Sequence, residues 1–171
     1  LLESDDGIEW KEKGIIGFPN SGLRYCECHG IQLSDGKIIV LVRVQGQGKF
    51  EIWQSESVDE GAHFTPLRSV IDDGAPPHVL LHSSGALICS YANRTLPHAG
   101  PRAAISFNGG ESWENRIVLQ GDAAGEDIGF SSSVELRDGR ILTVFYFTDR
   151  KAQDKTAIES VVWGLDEVNH E

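Results

Sequence analysis

Short apolar runs, some alternating and some continuous, are spaced along the whole chain between glycine and polar turn residues, and no stretch carries the 3.6-residue spacing of an amphipathic helix. The runs fall into sets. A first strand ("CHGIQL", "HVLLH", "SSVEL") leads through a Ser-Gly or Asp-Gly turn into a second ("KIIVLV", "ALICSY", "RILTVFYF") and then a third ("KFEIWQSE", "RAAIS", "AIESVVW"). The fourth runs, "KEKGII", "TPLRSV" and "ENRIVL", are short. The pattern predicts an all-β chain built from four-stranded antiparallel units.

Two motifs recur in step. The turn motif appears as "LSDGKIIVLV", "HSSGALICSY" and "LRDGRILTVF", with Gly36, Gly85 and Gly139 separated by 49 and 54 residues. A polar box appears as Ser4, Asp6, Gly7, Trp10, then Ser57, Asp59, Gly61, Phe64, then Ser106, Asn108, Gly110, Trp113, its first serines 53 and 49 residues apart. Ser57 and Ser106 each lie 21 residues beyond their turn glycine, so both motifs belong to one repeat. A period near fifty residues built of short strands is the mark of propeller blades. The expected organisation is strand four of one blade (1–17), a blade over 22–71, a blade over 75–120, and strands one to three of a last blade over 128–164. Twelve strands make about three blades, which do not close a ring, so the rest is expected from further sequence or from a second copy. The boxes belong between strands three and four, with Trp10, Phe64 and Trp113 expected to fold back and plug the blade cores.

Composition narrows the partners. Fifteen basic against 26 acidic residues give a net charge of −11, which argues against nucleic acid or an anionic membrane as the main partner. No run approaches the length of a membrane helix, and the first residues lack the pattern of a signal peptide. The absence of Met predicts a processed product or part of a longer reading frame. Cys26, Cys28 and Cys89 are expected as free thiols, and the first two as small buried residues of a strand. Cys26, Cys28 and His29 have no second ligand pair at zinc-finger spacing, so no metal or other cofactor is expected.

An antiparallel meander puts the start of strand one, the end of strand two and the start of strand three on one face, and the boxes on the other. The first of these faces gathers Glu27, Arg43, Arg94, Arg102, Phe130 and Tyr146, with Arg24, Tyr25, His29, His78 and His98 nearby. Glu27 and Arg43 are 16 residues apart, at the two ends of one strand pair. An arginine fork there suits the carboxylate of an acidic sugar, and a structural ion pair is the alternative. His29 and His78 are candidate sugar-binding or general-acid groups, against a purely structural role.

The boxes and the stretches "YCECHGIQLSDGKIIVLVR", "GAPPHVLLHSSGALICSYANR" and "DIGFSSSVELRDGRILTVFYF" resemble Asp-box proteins of the sialidase superfamily, six-bladed propellers of which this chain is similar to the carboxy-terminal half. The resemblance implies exo-sialidase-like hydrolysis of a terminal acidic sugar in a secreted or periplasmic setting, the chain supplying part of the active site. It implies that Glu27 precedes a carboxylate-binding Arg43, with Arg94 or Arg102 as a further carboxylate ligand. The family's nucleophilic tyrosine stands in a Gly-Tyr-Ser context, where this chain has "GFSSS" with Phe130, and a phenyl ring has no oxygen to attack an anomeric carbon. Tyr146, Tyr25 or Tyr91 would have to substitute for the phenol, or Glu27 to act as a base on water in an inverting reaction. The family's first arginine and its aspartate acid belong to amino-terminal blades. A glycan-binding propeller without catalysis, and a uronate lyase using His and Tyr, are the alternative readings.

Overall fold

The computed structural model describes residues 1–18, 22–121, 123–149 and 155–165, which hold thirteen strands and no α-helix. β1 (Leu2–Glu3) and β2 (Lys11–Glu12) form a hairpin. β3 (Arg24–Gln32), β4 (Ile38–Gly46), β5 (Lys49–Ser57) and β6 (Arg68–Ile71) form the first four-stranded sheet, in chain order. β7 (His78–Leu81), β8 (Leu87–Asn93), β9 (Gly100–Ser106) and β10 (Glu114–Val118) form the second, and β11 (Gly129–Glu135), β12 (Ile141–Asp149) and β13 (Lys155–Trp163) a three-stranded third. Every pairing is antiparallel. The strand not expected from sequence is β1, the two residues directly ahead of the first box. Residues 150–154, within the last expected blade, lie outside the described residues.

The repeated turn has one geometry in all three sheets. Leu33 donates its N–H to the Lys37 carbonyl and Gly36 to the Leu33 carbonyl, at 2.8 and 3.0 Å; His82/Ala86 with Gly85/His82, and Leu136/Arg140 with Gly139/Leu136, repeat both bonds. The glycines have φ of 89°, 88° and 81°, a region closed to most side chains, which is why this residue recurs.

The boxes work by side-chain capping of their own turns. Ser106 Oγ accepts the Gly110 N–H at 2.9 Å and Asn108 Oδ1 accepts the Ser112 N–H at 3.0 Å; Ser57 and Asp59 do the same for Gly61 and His63. The third box is also fastened to the preceding sheet. The Gly110 carbonyl accepts from Gln54 Nε2 and Arg68 Nη2, the Gly109 carbonyl from Lys37 Nζ, and Trp113 Nε1 donates to Gln54 Oε1 at 2.7 Å.

The core lies between sheets. Ile39, Leu41, Ile52 and Ile71 of the first pack on Val79, Leu87, Cys89, Tyr91 and Ala104 of the second, with half-buried Trp113 against them. Ile88, Ala103 and Ile105 of the second meet Ile141 and Trp163 of the third. Phe64 is half-buried against Val40, Val42 and Leu67. Trp10 does not plug a core. It is 59% exposed, because the two-residue strands of its hairpin have no inner strands of their own sheet beneath it. The thiols also differ from expectation: all three cysteines are free, Cys89 is buried, but Cys26 and Cys28 are exposed, since β3 is an edge strand and its pairing with β4 is interrupted between them.

Candidate functional site

β3 and β11, the first strands of their sheets, carry the same irregularity. The register of β3 against β4 shifts between Cys26 and Cys28, and that of β11 against β12 between Gly129 and Ser132. Each bulge holds a non-glycine residue at positive φ: Glu27 at 24° and Phe130 at 46°. Both residues stand nine positions before their turn glycines, Gly36 and Gly139. Such conformations are strained and persist where the surroundings enforce them, often at functional sites.

The bulge brings Glu27 onto Arg43. Both carboxylate oxygens accept from Arg43 Nη1 at 3.1 Å, while Nη2 donates to Gln45 Oε1 at 3.0 Å. The Arg43 side chain is 13% exposed and that of Glu27 39%. Arg94, from the loop after β8, approaches the same place: the Arg43 and Arg94 guanidinium carbons lie 5.2 and 5.7 Å from the centre of the Phe50 ring, as cation–π pairs. The Nε atoms of both arginines have no hydrogen-bond partner. Arg94 also borders the second bulge, its Nη2 3.6 Å from where a Cβ on Gly129 would sit. There Tyr146 stacks on Phe130 at 6.0 Å and 26°, and its hydroxyl donates to Asp127 Oδ1 at 2.5 Å. Burial raises the pKa of the Tyr146 phenol, the Asp127 bond adds to this, and the charge of Arg94 opposes it. Glu27, Arg43, Arg94 and Tyr146 therefore fall in one group, in which two guanidiniums share the Phe50 ring and two carboxylates, Glu27 and Asp127, accept from Arg43 and from the Tyr146 hydroxyl.

Arg102 lies outside it. Its guanidinium is buried and donates to the carbonyls of Pro101, Gln120 and His98, at 3.0, 2.9 and 2.5 Å. His29 and His78 form a ladder between sheets. Their rings stack at 4.3 Å; His29 Nδ1 accepts the Val79 N–H at 3.2 Å and His78 Nδ1 the Ser133 N–H at 3.4 Å. Burial lowers both pKa values, that of His78 to about 4, with the neighbouring His29 adding to the effect. Of the other tyrosines considered as a phenol, Tyr91 is fully buried, while Tyr25 stacks on Phe18.

Three members of the group escaped sequence reasoning: Gln45, Phe50 and Asp127. Gln45 and Phe50 face one another across β4 and β5, so the hairpin register that places Arg43 also places them. Asp127 precedes β11 in a loop with no periodic signal.

No protein-family model and no curated protein matches the chain. Solved structures do. A Dyadobacter fermentans protein of unknown function matches at 26% identity and a TM-score of 0.83, over 94% of this chain and 44% of its own. The NanB sialidase of Streptococcus pneumoniae, as its K499G mutant, matches at 19% identity and 0.68, over 98% of this chain and 27% of its own. An α-L-arabinofuranosidase from Fusarium graminearum matches at 11% identity and 0.59, over 88% and 48%. The shared feature is the fold, an all-β arrangement of small sheets found in propeller glycosidases, and this chain spans less than half the length of each.

Proposed function

We propose that this chain is part of a six-bladed, sialidase-like propeller that acts on a terminal carboxylated sugar, with Arg43 and Arg94 holding the carboxylate. The remaining blades come from further sequence or from a second copy of this chain. The observation that carries the reading is the convergence of two arginines on Phe50, with an unpartnered Nε on each. Two guanidiniums on one aromatic ring, each with a donor still unused, can hold a ligand carboxylate through parallel charge-assisted bonds. Glycosidases of sialic acid and of arabinose are among the solved structures of this fold, and the carboxylate distinguishes the first substrate class.

In this reading Glu27 orients Arg43 and takes the proton of the attacking water, and Tyr146 supplies a hydroxyl to the sugar. Asp127 is already positioned to accept the phenolic proton. His29 and His78 bridge neighbouring blades and Arg102 braces the loops of its own blade, rather than holding the sugar. A second reading is favoured by Phe130, which has no oxygen where the resemblance implies a nucleophile: the propeller binds the sugar without cleaving it. Assay of the full-length protein on 4-methylumbelliferyl N-acetylneuraminide separates the two. Release of fluorophore that falls at least about a hundredfold in Glu27→Gln and Tyr146→Phe supports hydrolysis. Saturable binding of N-acetylneuraminic acid without release assigns the binding reading. Neither release nor binding overturns both.

A further inference from the structure

We infer that Phe130 is a platform for the ring of the carboxylated sugar, its aromatic face taking the apolar C–H face of a pyranose whose carboxylate lies on Arg94; this rests on the carbohydrate reading above. Phe130 is 56% exposed, on a bulge that imposes a backbone conformation disfavoured for any residue with a Cβ. A position needing only a tight kink would be served by glycine. The same bulge, nine residues before the turn glycine, presents Glu27 from another sheet, and both bulges border the arginine group. Tyr146 backs the ring at 6.0 Å, which fixes its plane, and Arg94 Nη2 lies beside the backbone of Gly129, the adjoining residue. A flat apolar surface next to a cation fits a cyclic molecule that is apolar on one ring face and anionic at one substituent. A saccharide acid has both features, and an open-chain acid has only the second.

The test uses the full-length protein and its Phe130→Gly, Phe130→Leu and Phe130→Trp variants, titrated calorimetrically with N-acetylneuraminic acid and with gluconate, an open-chain acid. Melting temperatures are recorded in parallel. The platform predicts about tenfold weaker binding of N-acetylneuraminic acid to the Gly and Leu variants, affinity close to wild type for Trp, and little effect of any variant on gluconate. It predicts a melting temperature for Phe130→Gly close to wild type, because relief of the positive-φ strain offsets the lost Tyr146 contact and the added freedom of the unfolded chain. Unchanged affinity in Phe130→Gly and Phe130→Leu overturns the platform and leaves the arginine site standing, provided Arg94→Ala still weakens binding. A lower melting temperature for Phe130→Gly together with wild-type affinity for Phe130→Leu assigns the ring to packing against a further blade, and also overturns it. A wild-type protein that binds no N-acetylneuraminic acid defeats the platform and the carbohydrate reading together.

Discussion

Gly110 shows how much one position can decide. Its φ is 86°, and a Cβ there would lie 2.9 Å from Ile39 Cδ1 and 3.1 Å from Gln54 Nε2, so a side chain is strained in conformation and must push two side-chain ends aside. Gly110→Ala is expected to destabilise the protein by about 2 kcal/mol, whereas Gly121→Ala, with nothing within 4 Å, is expected within about 0.5 kcal/mol of wild type. Urea denaturation of the two variants measures the difference. The stacked histidines give a second outcome. Each binds its proton less tightly when folded than its ordinary value near 6.5, so the unfolded chain takes up more protons as the pH falls. Their contribution is fully present above about pH 6.5 and is lost on descending to about 4, where protonation removes the Nδ1 acceptor and sets two like charges in contact. Denaturation midpoints should fall across that window, and less steeply in His78→Gln.

Elements were legible from sequence where local chemistry defines them. The turn at Gly36, Gly85 and Gly139 needs positive φ, and the box needs short polar side chains that reach their own backbone, so both are written in residue types at fixed spacing. The bulges at Glu27 and Phe130 were not legible, because one extra residue in a strand leaves the apolar pattern nearly intact. The site was therefore readable only in part: the 16-residue spacing pointed to Glu27 with Arg43, whereas Phe50 and Asp127 join through hairpin register and loop placement. Arg102 could not be told from Arg94, since a basic residue at a strand end looks the same whether it faces a ligand or three carbonyls. At this scale Ser106→Ala is expected to cost about 1–2 kcal/mol: its buried hydroxyl serves the Gly110 N–H, and that turn fastens two sheets. Loss should appear as faster amide exchange at Gly110 and in β10.

Across the whole molecule the sheets pack face to face through two apolar layers, and the series stops short at both ends. The hairpin of β1 and β2 lacks inner strands, and the third sheet leaves Val134, Ile158 and Val162 exposed. Further blades covering that face would make the full-length protein monomeric, while the 171-residue chain alone should bind hydrophobic dyes and associate. A discrete particle of twice 18.7 kDa in light scattering would instead favour closure by a second copy. The proposed site lies where first and second strands of neighbouring sheets converge, away from the boxes that fasten the opposite ends. The most direct measurement is a crystal structure of the full-length protein soaked with N-acetylneuraminic acid. The account predicts the sugar carboxylate within hydrogen-bonding distance of Arg43 and Arg94, beside Glu27. A sugar bound elsewhere, with Arg43 still bonded only to Glu27 and Gln45, would contradict it.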